Sequence, residues 1–268
     1  EKDQTKNNKD GWRIIVAIAD VAHYVKPDDA LDVEARKRGN SVYFPDRVVP
    51  MLPEALSNGM CSLRPNEDRA CLAVQITIDN QGKKLSHKFF RALMRSKARV
   101  TYEDLQSTFD SKEKIQSSGD FIGKLAIPLY GAFNALHTAR LIRGALDIEV
   151  PEMQVQLGTN GDVENIKDRE RLDSHRLIEE FMVLANVCAA ETLEEKKYAC
   201  VYRVHDVPSS DKINGLRVNL EAFGIKLNKG QVVTSKLFNE VLKKAANHDA
   251  KETINQLVLR SQSQAIYS

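Results

Sequence analysis

The four cysteines, Cys61, Cys71, Cys188 and Cys200, form no CxxC pair and have no metal-finger spacing. That excludes the usual zinc-finger and redox frameworks, and their mostly apolar neighbours predict buried free thiols. Six histidines are scattered without an HExxH pattern, and no Gly-rich phosphate loop or internal repeat occurs. The longest apolar runs, such as Ile14–Ala19, fall far short of the roughly 20 residues that span a bilayer. The start, Glu1–Asp10, is polar and charged and lacks a signal-peptide pattern. The reading is a cytoplasmic protein with no membrane contact. Net charge is only +2, so any case for nucleic acid must rest on local charge. At 268 residues, with 42% hydrophobic and 28% charged content, the chain suffices for one large domain or two small ones.

Residues 1–11 read as a solvated linker or loop tip. Residues 12–19 read as a strand whose continuous apolarity suggests burial on both faces. It ends at Asp20, placed either to ligate a metal or to cap the following turn. Helices are expected at 29–38, 119–142, 168–196, 210–222, 235–246 and 250–262, with a short helix and loop within 103–118. Pro128 should start or kink the second of these. Residues 71–78 alternate, placing Leu72, Val74, Ile76 and Ile78 on one face. They turn at Asn80-Gln81-Gly82 into a return strand at 85–95. A second hairpin is expected around Gly158–Gly161, and a strand over 199–204. The helix from 168 is apolar nearly all round and should be largely buried. Glu179 on it would then be a buried carboxylate, either in an ion pair or touching ligand hydroxyls.

Two stretches carry the functional signal. Gly39–Leu63 holds Pro45, Pro50 and Pro53 among apolar residues, with Tyr43 at its turn. Proline fixes φ and removes a donor, so no long helix or central strand runs through it. It reads as a rigid loop packed onto a scaffold, with Tyr43 either a binding aromatic or a core tyrosine. The second stretch is the row Arg91, Arg95, Lys97 and Arg99, which an extended strand would place on one face, followed by Tyr102. Such a row fits either a single-stranded phosphate backbone with a stacked base or a solvated strand face.

The segment RGNSVYFPDRVVPMLPEALSNGMCSLRPNEDR, preceded by VAIADVAHYVKPDDALDVEARKRGN, resembles the signature of the ribonuclease II / ribonuclease R family in its RNB catalytic domain. RSKARVTYEDL, RGALDIE, DSHRLIEEFMVLANVCAAE and YRVHDVP follow in the family's order. The resemblance implies an α/β fold of the α+β type, a mixed, mostly antiparallel sheet packed with helices, incomplete at both ends. Residues 1–268 would be the central part of a single RNB domain. It implies a hydrolytic 3′-to-5′ exoribonuclease that takes single-stranded RNA from its 3′ end and releases nucleoside 5′-monophosphates. Magnesium would serve it, with no small-molecule cofactor. The metal-binding aspartates are expected upstream of residue 12 and an arginine-bearing segment after Ser268. This stretch alone therefore reads as inactive, and its alternative is a non-catalytic RNA-binding module or scaffold.

By the same resemblance, Tyr43 matches the tyrosine holding the nucleotide at the cleavage end, Tyr102 an aromatic stacking further along the RNA, and Glu179 a glutamate at the terminal nucleotides. Ile148 falls where some members place a phenylalanine against the last base. Arg91, Arg95, Lys97 and Arg99 complete the RNA contacts. Asp20 is the candidate metal ligand.

Overall fold

The computed structural model describes residues 1–111, 121–148, 152–230 and 233–268. The expected loop at 112–118 and the first two residues of the helix at 119–142 lie outside the described residues. The chain divides into two compact units, Glu1–Thr138 with Gln154–Ala189, and Ala139–Met153 with Ala190–Ser268.

The first unit is built on an antiparallel sheet in the order β1-β4-β5, where β1 is Trp12–Ala19, β4 is Asp68–Ile78 and β5 is Lys84–Arg95. Between β1 and β4 run α1 (Val21–Tyr24), α2 (Ala30–Arg38), the two-residue strands β2 (Val42–Tyr43) and β3 (Val48–Val49), and a π-helical turn, Ala55–Met60. After β5 come α3 (Tyr102–Asp110), α4 (Phe121–Arg143), the hairpin β6 (Met153–Leu157) and β7 (Val163–Asp168), and α5 (Asp173–Glu195). Trp12, Ile14, Val74, Ile76 and Ile78 pack with Leu105 of α3, Tyr130, Phe133 and Leu136 of α4, and Leu177 and Phe181 of α5. The antiparallel sheet with packed helices is the expected fold class. Among the described residues, no helix is long and apolar enough to cross a membrane.

Glycine allows two close approaches. Gly82 turns β4 into β5 at φ +78, and a Cβ there would lie 2.7 Å from the Ala135 carbonyl carbon. Gly131 leaves room on α4 for the Trp12 ring, since its Cβ would lie 2.5 Å from Trp12 Cζ2.

Several expectations are corrected. Residues 1–11 are a mostly exposed loop, as read, but it is tied down rather than loose. Asp3 is buried and accepts from Thr5 N at 3.2 Å and Asn8 Nδ2 at 2.9 Å, while Asn8 Nδ2 also donates to the Ile78 carbonyl. The Asn8 contact, then the Thr5 amide, hold the Asp3 carboxyl below its ordinary range. β1 is buried on one side only: Trp12 and Ile14 are in the core while Ile15, on the opposite face, is 60% exposed, and Ile18 emerges from the core face at the strand's far end beside Leu72. An apolar run is compatible with either state, and here the described sheet is antiparallel and three-stranded. Leu72 shares its face with Val74, Ile76 and Ile78 but is exposed. α4 runs through Pro128 rather than starting there. α5 begins at Asp173, because 163–168 is β7, and it is not apolar-buried all round: Ile178, Val183 and Val187 are exposed. None of the four cysteines is in a disulfide; Cys71 and Cys188 are buried, whereas Cys61 and Cys200 are half-buried.

The second unit packs α6 (Ser210–Glu221), α7 (Ser235–Ala245) and α8 (Lys251–Ser261) around Leu220, Phe238, Val241, Ile254 and Val258. The hydroxyls of Ser209 and Thr234 cap α6 and α7 by accepting from Lys212 N and Leu237 N. The strand expected over 199–204 shrinks to β8 (Arg203–Val204), because its partner β9 (Ile266–Tyr267) is only two residues long.

Tyr130 ties the first core together. Its hydroxyl donates to Gln106 Oε1 at 2.9 Å, and its ring stacks on Phe109 with centroids 3.7 Å apart. Burial first, then the Asp110 and Asp173 charges, push its pKa from 10.0 up to about 12. A phenol pKa raised in the folded state stabilises the fold fully below the unfolded value. That contribution is lost as pH rises from about 10 to about 12, because only the unfolded chain releases the proton in that window. Tyr130→Phe removes this term. Chemical denaturation should therefore show wild type losing about 2–3 kcal/mol more than the variant across that window. Equal losses would contradict the raised phenol pKa.

Candidate nucleic-acid interface

The β2–β3 hairpin projects from α2. Gly39 leaves the helix at φ +75, where Cβ-bearing residues are strained. The base of the hairpin is fixed by Met51 N donating to Ser41 Oγ at 2.9 Å and Arg38 Nη1 donating to the Pro50 carbonyl at 3.1 Å. Phe44 N closes the turn on the Arg47 carbonyl at 2.8 Å, with Pro45 between them. The tip is not packed onto a scaffold as expected. Tyr43 is 77% exposed, and Val42, Phe44, Val48 and Val49 are exposed with it. Tyr43 is not a core tyrosine of the described residues. Of this stretch only Leu56, in the π-helical turn, is buried.

The basic row divides in two. Arg91 and Arg95 lie within β5 on the face they share with Leu93, while Lys97 and Arg99 lie beyond the strand's end. Both strand arginines carry acids. Arg91 Nε lies 2.9 Å from Asp20 Oδ2. Arg95 grips Asp68, its cross-strand partner, through two bonds of 2.6 and 2.8 Å. The Arg95 fork holds the Asp68 carboxyl below its ordinary range, and Asp68 raises the guanidinium in return. Lys97 and Arg99 are exposed and make no ion pair among the described residues. The row is thus less uniform than its spacing suggests, because its partners, Asp20 after β1 and Asp68 in β4, are distant in sequence. Asp20 does not cap the turn through its side chain. It is 6% exposed and its carboxylate faces Arg91 instead.

Tyr102 opens α3 just after its cap, Thr101, whose hydroxyl accepts from Asp104 N at 3.1 Å. Its ring stacks on His175, with centroids 4.1 Å apart and planes within 20°. His175 sits in the first turn of α5, and its Nδ1 accepts from Leu172 N at 3.2 Å. Glu179 follows four residues later, on the same face as His175. It is exposed, not buried as expected, and accepts from Arg171 Nη2 at 2.6 Å. The buried acid of this helix is its neighbour Glu180. The structure therefore links Tyr102 to the helix face carrying Glu179, with His175 as the bridge. Ile148 belongs to the second unit, where it is half-buried against that unit's core. It lines a cavity of about 620 Å³ with Leu146, His205, Val207, Thr234 and Phe238.

Residues 3–268 match the RNB domain family. The chain belongs to the RNB family. It is 40% identical to ribonuclease R of Vibrio cholerae over 258 residues, which is 96% of this chain and 31% of that protein. It is 38% identical to ribonuclease R of Escherichia coli over 98% of this chain and 32% of that one. In structure it resembles Mycoplasma genitalium RNase R in complex with ribose-methylated single-stranded RNA, with a TM-score of 0.87 and 31% identity over 96% of this chain and 40% of that chain. This RNB chain spans about a third of the length of the curated relatives it matches.

Enzymes that hydrolyse phosphodiesters generally employ a divalent metal. Among the described residues of this RNB chain, no group of three or more His, Cys, Asp or Glu could hold one. Asp20 does not fit a metal by itself, since a guanidinium faces its carboxylate. No hydrolytic step is therefore assigned to these residues. The sequence reading passed over Asp68, Arg171 and His175. Position 175, one helical turn before Glu179, was the available signal for the last of them.

Proposed function

We propose that this chain holds RNA within a 3′-to-5′ hydrolytic exoribonuclease that acts on single-stranded RNA in the cytoplasm and releases nucleoside 5′-monophosphates. In this reading residues 1–268 are the central part of one RNB catalytic domain, and 1–11 are a loop of it. The observation that carries it is Tyr43, a 77% exposed tyrosine on a hairpin whose base is pinned while its apolar tip stands in solvent. An exposed aromatic of this kind offers a face to a nucleobase whatever its sequence. Tyr43 holds the nucleotide nearest the cleavage end and Tyr102 a base further out. Glu179 contacts the terminal nucleotides, and Ile148, in the second unit, offers an apolar contact without ring stacking. Lys97 and Arg99 meet phosphates directly, while Arg91 and Arg95 line the RNA's path with their charge already offset by Asp20 and Asp68. Magnesium, a hard cation suited to carboxylate oxygens, would activate the water in such an enzyme, and no carboxylate cluster among the described residues fits it. The relatives named ribonuclease R support the activity, and the single-stranded RNA in the Mycoplasma genitalium complex supports the substrate.

The test is a time course on 5′-labelled single-stranded RNA with magnesium, read on a sequencing gel and in parallel on a native gel. We expect intact RNA that shifts, with the shift fading as salt rises. RNA that never shifts at low salt would overturn the RNA-holding reading. A descending ladder would overturn the assignment of holding without cutting, and would make Asp20 the first residue to replace.

A further inference from the structure

We infer that His175 is a positioning residue, which braces one face of Tyr102 so that the other face presents a fixed platform to a nucleobase of single-stranded RNA. The inference rests on the function proposed above, in which Tyr102 stacks a base. Tyr102 stands at the first position of its helix, where a side chain has few neighbours to hold it. Yet its ring lies nearly parallel to the His175 imidazole, with centroids 4.1 Å apart. Tyr102 remains 38% exposed, so a third ring can join the stack.

The imidazole is itself fixed. Leu172 N donates to Nδ1 at 3.2 Å, and His175 N donates back to the Leu172 carbonyl at 3.1 Å, which sets both the ring's direction and the start of α5. One residue earlier, Ser174 N donates to Gln106 Oε1 at 3.0 Å. Gln106 lies on α3, four residues after Tyr102, and the same oxygen accepts from the buried Tyr130 hydroxyl. The two helix starts that carry the stacked rings are thus clamped to one another within the core. A tyrosine on a helix end unsupported in this way would have to be immobilised by each incoming base, at a cost in side-chain entropy. A stack already in place removes that cost, and the parallel arrangement extends naturally to a base.

The test uses the whole chain and a single-stranded oligoribonucleotide carrying 2-aminopurine, whose emission falls when it stacks on an aromatic ring. Wild type, Tyr102→Ala, His175→Ala, His175→Asn and His175→Phe are compared for affinity and for quenching at saturation. Asn keeps a short polar acceptor without a ring, and Phe keeps the ring without the acceptor. We expect His175→Ala and His175→Asn to bind about three- to tenfold more weakly with reduced quenching. His175→Phe should restore most of both, and Tyr102→Ala should lose more than either. If the alanine variant fails to fold, by circular dichroism, the Asn and Phe variants decide the matter. Wild-type quenching in His175→Asn together with loss in Tyr102→Ala would overturn the bracing role and leave the Tyr102 platform standing. Wild-type behaviour in Tyr102→Ala would instead overturn the base-stacking reading itself.

Discussion

Replacing Lys97 and Arg99 together by glutamine is expected to weaken single-stranded RNA binding about 25-fold at about 0.1 M salt. It should also flatten the log–log salt dependence by about 1.4. Each phosphate contact on a single strand releases counterions with a slope of about 0.7, so two contacts give about 1.4, and a tenfold dilution from 1 M converts that to about 25-fold. These two cations are singled out because they lie past the end of β5 and face no acid among the described residues. The companion variant removes Arg95 and Asp68 as a pair, by Arg95→Gln with Asp68→Asn. Their bidentate contact already cancels the charge, so the slope should hardly change. Fluorescence anisotropy titrations from about 0.05 to 0.3 M potassium chloride would measure both slopes. If the two variants lose slope equally, residues 91–99 act as one uniform basic row and the pairing seen here does not matter to RNA.

Trp12→Ala is expected to destabilise the first unit by about 3–5 kcal/mol, and Gly131→Leu by about 2–3 kcal/mol. The two together should cost less than their sum by about 1–3 kcal/mol. Trp12 is buried at the head of β1 and lies where a side chain on residue 131 would have to go. Deleting the indole leaves a cavity lined by well-packed neighbours, and a leucine entered against the indole meets a ring that cannot retreat. With the indole gone, the same leucine fills the void and gains the helix propensity that glycine forgoes. Far-UV circular dichroism is the right probe, because Trp12 is the only tryptophan in the chain. Strict additivity would mean that the two sites do not touch.

The elements with strong local chemistry were legible in the sequence. Trp12–Ala19, the β4–β5 hairpin and the first capped helix of the second unit formed where β-branched runs, Gly82 and Ser209 placed them. Motif order sufficed for the family. Local pattern did not reveal which apolar residues would find cover. The run at 12–19 and the apolar surface of α5 both read as fully buried, and both present one side to solvent. Apolarity states what a residue would gain from burial, not whether another element arrives to bury it.

By itself the sequence determined the RNB family, the antiparallel sheet with packed helices, and Tyr43 on a proline-bounded turn, because these depend on short-range stereochemistry and on ordered motifs. Only the tertiary structure decided that Arg91 and Arg95 are paired while Lys97 and Arg99 make no ion pair among the described residues, that Glu179 faces solvent while Glu180 does not, and that His175 lies against Tyr102. The arginine pairs and the ring stack join residues far apart in the chain. Asp68 meets Arg95 across a strand register, and His175 meets Tyr102 because Gln106 clamps two helix starts. Electrostatics and ring stacking act over a few ångströms of space, and that distance exists only once the chain has folded.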